Sequence, residues 1–126
     1  MTSKDTPLGK MSFDTGWKLK EGISFNGTTY KIVMKCKAYT AEDGITHEQE
    51  AAMEKFAREG EKQLAIAAHM LKTQYPDAGQ RFIPTMLLFN RDGEYALLLD
   101  DKEAPDEGIC IVLSPRRAIV SQDEYL

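Results

Sequence analysis

The sequence predicts an α+β fold, in which a curved antiparallel sheet of about six strands packs on one long helix in the order ββ-α-ββ-ββ. Three observations predict it. Asn26-Gly27 sits between two strand-like runs, 17–25 and 28–39. An apolar stripe with helical spacing runs from Met53 to Tyr75. Short apolar runs at 85–89, 95–99, 108–113 and 118–120 follow, separated by turn residues. The 126 residues, 42% apolar and 29% charged, suit one domain, 1–126, with its own core.

Residues 1–15 are polar and rich in Gly, Pro and Thr, which predicts a loosely ordered N-terminal arm. Leu8, Met11 and Phe13 are its docking points on the body.

The first hairpin is the best specified element. An Asn-Gly pair tolerates φ > 0 at both central positions of a type I′ turn. A two-residue loop at Asn26-Gly27 pairs Phe25 with Thr28, Ile23 with Tyr30, Leu19 with Met34 and Trp17 with Cys36, all on one face. Glu21, opposite Ile32, is the only charge on that face. The other face carries Lys18, Lys20, Lys31 and Lys35, with Val33 as its one large apolar residue. Slippage by one residue would drive these lysines into the core, so the register is firm.

Thr46-His-Glu-Gln49 is a capping box that opens the helix. Good helix formers then run from Ala51 to Tyr75. The stripe is Met53, Phe56, Gly60, Leu64, Ala67, Leu71 and Tyr75. Gly60 lies inside it and marks a bend, a break or a close approach to the sheet, so one long helix, straight or kinked there, is expected, with two helices as the alternative. Pro76 ends the element.

Thr85–Phe89 and Tyr95–Leu99 flank Asn90-Arg-Asp-Gly93, which suits a type I turn with a G1 bulge. Both strands are apolar on both faces, so each face needs a cover. One helix covers only one of them. The arm, a curled part of the sheet or a second subunit would have to cover the other. An acidic loop, 100–107, precedes a last hairpin turned by Ser114-Pro-Arg-Arg117.

Charge and chemistry narrow the function classes. A formal net charge of −4 and a pI near 5.2 disfavour binding to a phosphate backbone, so no nucleic-acid partner is expected. No apolar run spans a membrane, and the N-terminus has no leader-like apolar stretch, which predicts a cytoplasmic protein. His47 and His69 stand about 33 Å apart on a straight helix and cannot share a metal. Cys36 and Cys110 read as buried thiols. The acidic loop lacks the residue order of a calcium-binding loop. No serine or threonine has a nucleophile context, and no glycine-rich phosphate loop is present. No catalytic residue, metal or cofactor is assigned.

One surface stands out. Lys18, Lys20, Lys31, Lys35 and Lys37 form a candidate binding patch for an acidic partner. The plain alternative is a wet sheet face whose lysines pair with nearby carboxylates.

Scattered residues carry a resemblance. They are Thr46-x-x-Gln49 opening a helix with Phe56, Ile83-Pro-Thr85, Asn90-Arg-Asp-Gly-Glu94, Glu107-Gly-Ile109 and Gln122-Asp-x-Tyr-Leu126. From about Trp17 onward the chain resembles a family of small, uncharacterised bacterial α+β domains, some encoded beside toxin or phage genes. The resemblance implies a bacterial, cytosolic, non-catalytic protein of inhibitor or immunity-like type. It implies structural roles for Gly93 at a turn, Pro84 at a strand start or edge, and Gly108 at a bulge.

The expectation is therefore a protein-binding or adaptor module, with another protein as partner and a homodimer left open. The alternatives are a secretion-type chaperone dimer and a small metal-dependent enzyme built on the acidic loop.

Overall fold

In the computed structural model, which describes residues 2–126, the chain forms one eight-stranded sheet whose strands lie in sequence order. β1 (Ser3–Thr6), β2 (Gly9–Phe13), β3 (Trp17–Phe25) and β4 (Thr28–Cys36) precede the long helix α1 (His47–Gln74). After the one-turn α2 (Ala78–Arg81) come β5 (Phe82–Phe89), β6 (Tyr95–Asp101), β7 (Gly108–Ser114) and β8 (Ala118–Ser121). A four-residue helix, α3 (Gln122–Tyr125), follows. The fold is α+β and mostly antiparallel, as expected, but the sheet has eight strands and not six. The element order is ββββ-α-ββββ, leaving aside the short helices. One step differs in kind: β4 and β5 run parallel. The helix joins them as a crossover, and a crossover connection returns the chain to the same end of the sheet.

The two extra strands come from the segment expected to be a loose arm. Residues 3–13 instead form a hairpin at the sheet edge, while Met1 of that arm lies outside the described residues. Pro7 and Leu8 make its two-residue loop, closed by the Thr6 hydroxyl donating to the Gly9 carbonyl at 2.6 Å. Met11 is fully buried, and the Phe13 ring meets Trp17 edge-on at 5.3 Å. These apolar anchors recruit the segment. Its polar residues had hidden a strand whose outer positions face water.

The Asn26-Gly27 turn forms as read, with φ of 53° and 80°. It fixes the expected register, Trp17 opposite Cys36 and Phe25 opposite Thr28. Beyond Cys36 the chain leaves the ladder sooner than expected. Thr46 caps α1, its hydroxyl accepting from the Gln49 N–H at 3.0 Å while the Gln49 side chain accepts from the Thr46 N–H at 2.9 Å. The helix runs unbroken through Gly60, so the two-helix alternative does not hold. A Cβ on Gly60 would stand 3.0 Å from the Phe56 ring, so the glycine makes room for that ring one turn back. Phe56 in turn packs edge-on against Phe89 and Tyr95.

The sheet therefore has two unlike faces. The inner face carries the main core with Met53, Phe56, Leu64, Ala67 and Leu71 of α1. The outer face carries a smaller cluster of Leu88, Ala96, Leu98, Cys110 and Val112. Its cover is the chain's own C-terminus. Tyr125 packs on this cluster and its hydroxyl donates to Glu94 Oε2 at 2.9 Å. Gln122 donates to the Leu99 carbonyl at 2.9 Å. That contact explains Gly108, expected at a bulge: a Cβ there would collide with the Gln122 side chain. The sheet's irregularities fall instead between Pro84 and Met86 and between Tyr95 and Ala96.

Candidate functional site

The register that buries Trp17 and Met34 turns Lys18, Lys20, Lys31 and Lys35 outward together. Lys18 stands directly opposite Lys35, Lys20 opposite Val33, and Lys31 opposite Gly22. Lys37 continues the line just past β4, its N–H donating to the Phe89 carbonyl at 3.0 Å. One row crosses the outer face as Lys18, Lys35, Leu88, Ala96, Val112 and Ala118. Its apolar end carries the cluster that Tyr125 covers, and its charged end belongs to the lysine patch.

Like charges directly opposite each other are unfavourable in a sheet. Lys35 shows the strain most. Its stem lies over Gly16, where a Cβ would stand 2.6 Å from Lys35 Cε. Burial lowers its pKa first, followed by the charges of Lys18 and Lys37, with Asp14 opposing them. Lys20 and Lys31 are exposed, while Lys18, Lys35 and Lys37 are half-buried. Among the described residues, no ion pair involves any of these lysines. The only side-chain hydrogen bond from the group is Lys18 Nζ to Thr15 Oγ1 at 2.9 Å. Asp14 offsets the patch only in part, without an ion pair to any of the five lysines.

The other candidates lie apart from one another. Asp101 of the acidic loop takes a two-pronged bond from Arg81, at 3.0 and 2.9 Å, and Glu103 pairs with the same guanidinium at 3.2 Å. Arg81 lies against both the Tyr75 and Phe82 rings, at 5.1 and 5.0 Å, and the two rings meet edge-on. Among the described residues, no three His, Cys, Asp or Glu side chains converge as a metal site would require. His47 and His69 are exposed near opposite ends of α1. Both thiols are free and buried, and burial pushes Cys36 up to about 12 and Cys110 up to about 11. Thiols at those values stay protonated and unreactive.

A polar hub escaped the sequence reading. Arg91, inside the Asn90–Glu94 turn, donates to the carbonyls of Lys37, Gly44 and Asp43 at 3.0, 2.7 and 3.1 Å. Gln49, read only as a capping residue, is fully buried and bonds the carbonyls of Lys37 and Phe89 at 3.1 Å each. Asn90 and Glu94 hold the Tyr125 hydroxyl. The turn thus ties the start of α1 on one side and α3 on the other. It accounts for much of the motif residues' spacing as fastening, not chemistry. Sequence offered one signal, an arginine in a tight turn, but not the carbonyls it would meet.

An open groove of about 920 Å³ lies between α1 and the β3–β4 hairpin. Ile23, Met34, Phe56 and Leu64 floor it, with Glu21 and Glu61 on its walls. No protein-family profile, no curated protein and no solved structure matches the chain. No helix among the described residues is long and apolar enough to cross a membrane.

Proposed function

We propose that this chain is a non-catalytic bacterial protein, cytoplasmic and of immunity-like or adaptor type, that binds an acidic protein partner through its lysine face. One observation carries the reading: Lys18 and Lys35 stand opposite each other with Lys20, Lys31 and Lys37 nearby, and among the described residues none has an ion pair. A surface that keeps like charges together, with Asp14 as a partial counter-charge and no ion pair among the described residues, loses stability and gains attraction for carboxylates. The resemblance to small bacterial α+β domains supports the same class.

The chaperone-dimer alternative draws on strands 85–89 and 95–99 being apolar on both faces; Tyr125 of the same chain packs on their outer cluster. The acidic-loop enzyme would be built on Asp100, Asp101, Glu103, Asp106 and Glu107, of which Arg81 engages Asp101 and Glu103.

The test is a calorimetric titration with a poly-glutamate peptide at low salt. The wild-type protein should bind it, and added salt should weaken binding. The double variant Lys18→Ser/Lys35→Ser should weaken it about tenfold. Undiminished binding by that variant, or equal binding of an oligonucleotide of the same charge, would overturn the proposal.

A further inference from the structure

β8 is the last strand of the sheet, with β7 on one side and no strand on the other. Its residues, Ala118-Ile-Val-Ser121, are all half-buried, and none is charged or proline. The ladder to β7 runs without a shift in register. β1, at the opposite edge, reads Ser3-Lys-Asp-Thr6 and carries charges at its centre. Edge strands are usually guarded by charge, proline or bulges, because their free N–H and C=O groups accept any extended chain. Here one edge is guarded and the other is not.

The flanks of β8 indicate what fits it. Arg116 and Arg117 precede the strand, Asp123 and Glu124 follow it, and all four are exposed. Arg116 is held by Glu94 at 3.2 Å. Among the described residues, Arg117, Asp123 and Glu124 have no ion-pair partner. Asp123 and Glu124 line the same hollow of about 450 Å³ as Ile119, Val120 and Ser121, and Gln74, Tyr75 and Arg81 from the end of α1 and from α2 line it too. The edge is thus basic at one end, apolar in the middle and acidic at the other. Such a pattern complements itself when reversed.

We propose that β8 is a homodimerisation edge, at which two copies pair their β8 strands antiparallel about a two-fold axis at Val120. This register sets Ile119 opposite Ser121 of the second copy. With α3 starting at Gln122, the ladder itself covers Ile119 to Ser121; beyond it, the Arg116–Arg117 end of one copy lies toward the start of α3, with Asp123 and Glu124, in the other, and symmetry repeats the contact. Parallel pairing would set arginine against arginine. Directly paired residues point to the same face, so Val120 meets its counterpart and the two outer apolar clusters adjoin. The lysine face, on β3 and β4, stays open in both copies. So short an edge buries less than a standard interface, so the association is weak and concentration-dependent.

Sedimentation of the full chain over a concentration series tests this. The wild type should show a reversible monomer–dimer equilibrium. Arg117→Glu and Asp123→Lys should each raise the dissociation constant about tenfold. The double variant should return to within about threefold of wild type, since the swapped charges again face each other. All these side chains are exposed, and circular dichroism checks that each variant is folded. A monomer at every concentration would overturn the proposal, as would a dimer indifferent to both single changes. A dimer that both single changes weaken but the pair does not restore would overturn it too, because the residues would then not face one another.

Discussion

Lys35 is half-buried, its stem over Gly16, directly across from Lys18. Its pKa lies below the usual lysine value because burial and then the charges of Lys18 and Lys37 disfavour the ammonium. A base shifted downward destabilises the fold wherever it is protonated in both states. The penalty is fully present at neutral pH and disappears as pH rises past the ordinary lysine value of about 10.4. Lys35→Thr should therefore leave the urea midpoint at pH 7 unchanged or slightly raised, while poly-glutamate binding weakens. A midpoint falling as a core mutation's does would contradict this. At this scale the sequence was readable where a residue acts locally. Asn26-Gly27 named its own turn, and the alternation of Lys18, Leu19 and Lys20 named their faces. Gly108 and Arg91 were unreadable, because Gln122 and the carbonyls of residues 37–44 reach them only through the fold.

The long helix was legible because cap, period and stop all agree, and agreement across levels marks a well-specified element. Phe56→Ala should lose about 3–5 kcal/mol in chemical denaturation, since the ring is buried between Phe89, Tyr95 and the Gly60 backbone. A near-neutral result would mean that the inner face is misassigned. The first two strands were not legible, since their outer residues are polar and Met11 is the only fully buried side chain in them. The link between α2 and the end of β6 has a pH signature. The Arg81 guanidinium holds the Asp101 carboxyl below the usual carboxylate range. An acid shifted downward contributes stability that is present above its unfolded value of about 3.9 and is lost as pH falls through its folded value. Asp101→Asn should thus be less stable than wild type in urea at pH 7, with the gap narrowing in acid. A gap that does not change with pH would count against that ion pair.

Across the whole molecule, the outer face divides into a covered and a bare half. α3 closes the apolar half over β5 to β7, and the lysines of β3 and β4 remain outward. The patch itself was legible, because alternation in a firmly registered hairpin places every side chain. Its lack of carboxylate partners was not, because that depends on which acidic residues the fold brings near. The C-terminal cover was also hidden: four residues without a strong helical period give no sign that Tyr125 will reach Asn90 and Glu94. The bare half is the surface proposed to bind the acidic partner. Mapping backbone amide shifts by NMR during a titration with poly-glutamate tests that proposal most directly. Shifts should concentrate on residues 18–20 and 31–37 and fade with added salt. Shifts centred on the groove between α1 and the β3–β4 hairpin, or spread evenly over the molecule, would contradict it.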